Sequence, residues 1–169
     1  MNLVTSFSPI ADKSARVLVL GSMPGVQSLK ANQYYAHPRN AFWPIMASIY
    51  GFSAESPYPD RVENLKASGV ALWDVLHACM RTGSLDSAIE KGSRVPNDLQ
   101  TFFQQHPHIE FVGFNGAEAQ KSFNTYVLPH LDVGGVRFAR LPSSSPAHAV
   151  ALEKKIAAWR AALTQRRRP

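Results

Sequence analysis

Cysteine is nearly absent from this sequence, and the single Cys79 rules out an internal disulfide framework or a site built from four thiolates. Set between Ala78 and Met80, it reads as a packed thiol of the core and not as a nucleophile. Long apolar runs are missing as well. No stretch approaches the ~18 apolar residues of a membrane helix, and residues 1–13 carry no basic segment leading into an apolar one. Neither an anchor nor an export signal is expected, which points to the cytoplasm, beside the nucleoid in a bacterium. The histidines at positions 37, 106, 108 and 130 do not fall at metal-ligand spacing, so no metal and no cofactor are expected. Repeats and low-complexity linkers are absent, leaving one domain over residues 1–169 with residues 164–169 as a flexible basic tail. Acidic residues are in the minority, 12 against 18 Lys and Arg, for a net charge of +6. That balance favours a polyanionic partner such as nucleic acid, although many proteins without one are equally basic.

What the chain does have is 45% hydrophobic residues, enough for a sizeable core, arranged in short alternating segments. Arg16-Val-Leu-Val-Leu-Gly21 is a β-branched and Leu run ending in glycine, which suits a central strand buried on both faces. Residues 23–40 hold Pro, Gly, Asn, His and paired Tyr without sustained periodicity and read as a long ordered loop. A helix is expected from Asn40 to its stop at Gly51, and another over 60–68 before Gly69. Residues 70–73 make a second buried strand with Asp74 at its carboxyl end. The mixed, turn-rich segment 77–94 reads as irregular surface. A helix over 96–105, a strand over 109–114 ending at Asn115, a helix over 116–128, a strand over 135–141 and a closing helix over 149–163 complete the pattern. Strands alternating with helices predict a three-layer α/β/α sandwich with a central four-stranded parallel sheet. Its ligand site should lie beyond the carboxyl ends of the strands, where residues 21–40, Asp74, Asn115 and 143–148 converge.

Two motifs carry the chemistry. Gly21-Ser-Met-Pro-Gly25 after a strand, followed by Tyr34-Tyr-Ala-His-Pro-Arg-Asn-Ala-Phe-Trp43, resembles the first motif of the mismatch-specific uracil and thymine DNA glycosylases, G-I-N-P-G followed by an aromatic, H-P or G-P, N and F-W. Leu141-Pro-Ser-Ser-Ser-Pro-Ala-His148 resembles their second motif. The order and spacing of the pair cover nearly the whole chain. Within that superfamily, Q-Y-Y-A-H-P-R-N-A-F-W, A-L-W-D-V-L and G-S-L-D-S-A-I are most similar to the hypoxanthine-DNA glycosylase branch. The resemblance implies a monofunctional enzyme, working as a monomer on DNA, that flips a deaminated base out of the duplex and hydrolyses its N-glycosidic bond to leave an abasic site. A mismatch-specific uracil/thymine glycosylase of the same fold is the nearest alternative. A damaged-DNA-binding module without activity is the alternative from another class. A dinucleotide enzyme is disfavoured because G-S-M-P-G lacks the third glycine of that fingerprint.

The resemblance also implies roles. Met23 stands where G-I-N-P-G has its water-positioning Asn, and a thioether is at best a weak acceptor. The hypoxanthine branch carries its catalytic Asn in the H-P-x-N position, which is Asn40 here. By residue type alone, Asn40 before an apolar helical run reads first as a helix N-cap, and only the resemblance reverses that order. Tyr35 is the expected stacking platform for the flipped base, with Ser22, Met23, Asp74 and Asn115 around it. Asn115 before Gly116 also suits a turn, and Asp74 could only accept from a base unless it were protonated. Pro142, Ser143, Ser144 and Ser145, expected to open the last helix, and His148 are the candidate contacts to DNA phosphates. No wedge residue is evident, since Pro146 and Ala147 are small.

Overall fold

The computed structural model describes residues 2–165, so positions 166–169 of the expected basic tail lie outside the described residues. Four parallel strands form the central sheet: β2 (Val17–Gly21), β3 (Val70–Asp74), β6 (Phe111–Asn115) and β7 (Arg137–Leu141), in the order β3-β2-β6-β7. The alternation of side chains along these strands creates two cores, one on each face. Leu18, Leu20, Ala71, Val112 and Phe114 meet helices α4 (Leu99–Gln105) and α5 (Ala117–Ser122) through Phe102, Phe103 and Ala119. On the other face Val19, Val70, Leu72, Phe111 and Leu141 pack against α2 (Phe42–Tyr50), α3 (Tyr58–Ala67) and α6 (Leu152–Leu163) through Ile45, Leu65 and Trp159. Helices cover both faces, as the sequence pattern predicts. Gly113 lies under Leu141: a Cβ there would stand 2.7 Å from Leu141 Cδ1, so any larger residue must push that buried side chain aside.

Four local expectations fail. Residues 77–94 are not uniformly irregular, because β4 (Leu76–Met80) is the middle strand of a second, antiparallel sheet with β1 (Leu3–Thr5) and β5 (Val95–Pro96). In the Leu76–Met80 stretch only His77 is exposed and Ala78 and Cys79 are buried in succession, so no period-two alternation sets it apart from its polar neighbours. Cys79 is fully buried there, in keeping with a core thiol. The segment after Gly21 is not all loop, since α1 (Val26–Ala31) forms within it and stops at Asn32 in the left-handed conformation. Finally, α6 begins at Leu152 and the preceding residues remain extended or turn-like, so the serine loop does not open that helix. Pro96 belongs to β5 and not to α4, whose N-cap is Asp98, accepting from the Thr101 N–H at 3.1 Å.

Candidate active site

Parallel register brings the strand ends level, Gly21 opposite Asp74 and Asn115 opposite Leu141. Beyond that edge opens a pocket of about 820 Å³, lined by Ser22, Met23, Tyr34, Tyr35 and Asn40 from one segment, by Asp74 and Asn115, and by residues 143–148. All of the site candidates named from sequence line this pocket, apart from Pro142. A cavity of this size at the carboxyl ends of a parallel sheet is the usual place for a ligand in such a fold.

Hydrogen bonds lace the two motif segments together. The Asn115 amide donates to the Tyr35 hydroxyl at 3.0 Å and to Ser144 Oγ at 2.9 Å, while its carbonyl oxygen accepts from the Ser144 N–H at 2.8 Å. The Ala41 N–H donates to the Ser144 carbonyl at 2.9 Å. Ser144 is therefore the knot of the site, and at 1% exposure its side chain cannot reach a phosphate, contrary to the expectation from sequence. Ser143 and Ser145 are partly exposed, and each hydroxyl accepts a backbone N–H two residues on, from Ser145 and Ala147 respectively. Such a hydroxyl keeps its own O–H free to donate. Pro142 lies off the pocket, and its carbonyl accepts from Trp159 Nε1 at 2.8 Å, fixing the base of the loop. Lys155 Nζ donates to the Ser145 carbonyl at 3.1 Å. His148 is exposed on the rim.

Asn40 is half-buried, and its Oδ1 accepts from the Phe42 N–H at 3.0 Å at the start of α2. The N-cap of α2 is Ala41, so Asn40 stands one residue before the cap expected from sequence and closes a local turn instead. A carbonyl oxygen has two lone pairs, so this turn bond leaves one for a water. Tyr35 sits in the left-handed region at φ 55°, a conformation uncommon for a residue with a side chain. Its ring stacks on Phe42 with centroids 4.2 Å apart and planes 27° from parallel. Burial, with Asp74 nearby, holds its phenol far above the ordinary tyrosine range, so it stays neutral. Gly21 makes room for this arrangement: a Cβ there would lie 2.5 Å from Asp74 Oδ1 and 2.9 Å from the Tyr35 hydroxyl.

Asp74 is only 4% exposed, and its Oδ2 has no hydrogen-bond partner among the described residues. Burial pushes its pKa up to about 7, with Asp86 adding to the rise and Arg81 opposing it. Residues missed in the sequence complete this side of the pocket. Asp86, on a 3-10 turn after β4, accepts from the Ser22 hydroxyl at 2.6 Å, and the neighbouring Ser84 Oγ accepts from the Val26 N–H at 2.8 Å. Arg81 is 1% exposed; one guanidinium nitrogen donates to the Pro24 carbonyl, and Nε and Nη1 have no partner among the described residues. Arg94 and Glu118 line the pocket as an ion pair at 2.6 Å. Their segment read as polar surface; the one signal it offered was the G-S-L-D wording, with nothing to say that Asp86 turns inward.

A three-layer α/β/α sandwich with an asparagine, a stacked tyrosine and a serine-rich loop gathered at its strand ends has the architecture of a DNA glycosylase. The family model of the uracil DNA glycosylase superfamily matches residues 8–165, and the chain belongs to that superfamily. It is 36% identical over 154 residues to a hypoxanthine DNA glycosylase of Methanosarcina barkeri, covering 90% of this chain and 93% of that protein. A hypoxanthine DNA glycosylase of Methanosarcina acetivorans is 31% identical over 143 residues, or 79% of this chain and 89% of that one. The solution NMR structure of a candidate uracil DNA glycosylase from M. acetivorans superposes with a TM-score of 0.78 at 28% identity, over 95% of this chain and 98% of that one.

Proposed function

We propose that this protein is a monofunctional hypoxanthine-DNA glycosylase, which extrudes the deaminated base and hydrolyses its bond to the sugar. The observation that carries the reading is the 36% identity to a hypoxanthine DNA glycosylase across nine-tenths of the chain, with the pocket set at the strand ends. Extruding a nucleotide costs a few kcal/mol of stacking, which the pocket must return. Tyr35, already braced by Phe42, supplies the stacking surface, and Asn115 holds its hydroxyl in place.

The glycosidic bond breaks through a cation-like sugar while its electron pair leaves with the base. Two tasks follow: a water must be held at the anomeric carbon, and donors must face the base. Asn40 takes the first through the lone pair left on Oδ1. Met23 has no group for it, which separates this site from the G-I-N-P-G enzymes. Ser143 and Ser145 donate their hydroxyls to the flanking phosphates, and His148 borders the same rim. Ser22 bonds to Asp86, so its contribution to the base pocket passes through that carboxylate. On this reading the whole chain acts as one domain, one copy per damaged site, in the compartment that holds the DNA. No helix among the described residues is long and apolar enough to cross a membrane.

The direct test uses duplex oligonucleotides bearing one hypoxanthine, one uracil or one mismatched thymine, with abasic sites revealed by alkali. Faster release of hypoxanthine than of the other two supports the reading. Preference for uracil or thymine moves the protein to the mismatch branch, and tight binding with no release makes it a damage-binding module.

A further inference from the structure

Asp74 presents a contradiction if the pocket works as an ordinary carboxylate site. A departing base carries growing negative charge, and an ionised carboxylate beside it would oppose the reaction. Yet Asp74 is 4% exposed, lines the pocket, and leaves Oδ2 without a partner. Its other oxygen is held over Gly21, close to the Tyr35 hydroxyl, by a backbone that tolerates no Cβ. Its main-chain carbonyl is fixed by Asn97 Nδ2 at 2.8 Å, so the side chain leaves a rigid strand end. A buried carboxyl with an unsatisfied oxygen is costly when ionised and much less so when protonated.

Resting on the hypoxanthine reading above, we propose that Asp74 works as a neutral carboxylic acid, donating its O–H to the carbonyl oxygen of the flipped base while its own carbonyl accepts the adjoining ring N–H. The lactam edge of hypoxanthine offers that acceptor and donor side by side. As the bond from sugar to base breaks, its electron pair moves into the base and onto the carbonyl oxygen, where the Asp74 hydroxyl stabilises it. The water oxygen bonds to the sugar carbon and its proton leaves to solvent, so Asp74 keeps or shares its proton and is unchanged at the end.

The surroundings hold the acid in that state. Asp86, from the turn after β4, is a second carboxylate near it, and Tyr35 lies near it from the first motif segment, whereas the Tyr34 hydroxyl is tied to the Ser8 carbonyl at 2.7 Å. Arg81, just after β4, is the one buried cation on this side among the described residues and favours ionisation. It is bound to the Pro24 carbonyl and forms no salt bridge with Asp74. Farther along the wall lie His37, His148, Lys121 and the Arg94–Glu118 pair. Burial and Asp86 outweigh Arg81, which sets the titration near neutrality.

The experiment is single-turnover release of hypoxanthine from a duplex between pH 6 and 9 by the wild-type protein, Asp74→Asn and Asp74→Ala. The wild-type rate is expected to fall about tenfold for each pH unit once Asp74 ionises. Asp74→Asn offers an N–H donor and a carbonyl at every pH, so its profile stays flat and at pH 9 its rate exceeds the wild type's. Asp74→Ala is slow throughout. A wild-type rate that is flat or rising over this range overturns the proposal without need of any variant, as does an Asp74→Asn profile that falls in parallel with the wild type. If the wild type releases no hypoxanthine at any pH, the functional reading itself fails, an outcome distinct from release with the wrong pH dependence.

Discussion

Replacing Asp74 by Asn should stabilise the fold in alkaline solution, whatever it does to activity. In the unfolded chain Asp74 ionises with a pKa of 3.8, whereas in the fold burial raises it to about 7. The sign follows from linkage. The folded state binds more protons across that interval, so the stability Asp74 contributes is complete below pH 4 and is lost as pH rises toward 7. At about 1.4 kcal/mol per pKa unit, the loss reaches about 4 kcal/mol by pH 8, against about 2 kcal/mol at pH 5. The group is almost wholly buried, so solvent screening does not reduce this. An amide carries no such penalty. The advantage of Asp74→Asn over wild type should therefore grow by about 2–3 kcal/mol between pH 5 and pH 8, which in a domain of this size is on the order of 5–10 °C in Tm. Thermal melts of both proteins at several pH values, followed by circular dichroism, measure it. A difference in Tm that stays constant with pH, or shrinks as pH rises, would refute the reasoning.

Asn115→Ala removes three hydrogen bonds at once, those to the Tyr35 hydroxyl and to both the side chain and N–H of Ser144, and is expected to cost about 2–4 kcal/mol in urea unfolding. Its base release should fall too, because both motif segments lose their tie. Gly113→Ala drives a methyl group against Leu141 and should cost about 1–3 kcal/mol through overpacking while leaving residual activity per folded molecule intact. Trp159→Phe strands the Pro142 carbonyl beneath the serine loop, a loss of about 1–3 kcal/mol that denaturant titration would register.

The sheet was legible because three of its strands are short apolar runs ending in Gly, Asp or Asn, as buried parallel strands require, while the edge strand β7, Arg-Phe-Ala-Arg-Leu, alternates partly buried and exposed positions up to Leu141. The meeting of Asn40, Tyr35, Asp74, Asn115 and the serine loop followed from that topology, since strand ends in such a sheet share one edge. The antiparallel sheet was hidden because β1 has three residues and β5 two, too few to show alternation. The inward turn of Asp86 depends on a long-range hydrogen bond to Ser22, and the burial of Arg81 on the distant Pro24 carbonyl; neither has a local signature. Ser144 looked like its neighbours in a run of three serines, and only the Asn115 amide, 29 positions away, singles it out as structural.

The account rests on Asn40 holding the attacking water, and the same side chain accepts from the Phe42 N–H in a turn just before α2, whose N-cap is Ala41. Asn40→Ser keeps an oxygen able to accept the Phe42 N–H in the same turn but retracts the amide from the pocket. The decisive measurement is single-turnover release of hypoxanthine by this variant, alongside its melting temperature and its affinity for the damaged duplex. A fall in rate of about 100-fold or more, with Tm and affinity near wild type, is what a water-positioning role predicts. A rate close to wild type in a folded, DNA-binding Asn40→Ser protein would contradict it and leave Asn40 with a structural turn alone.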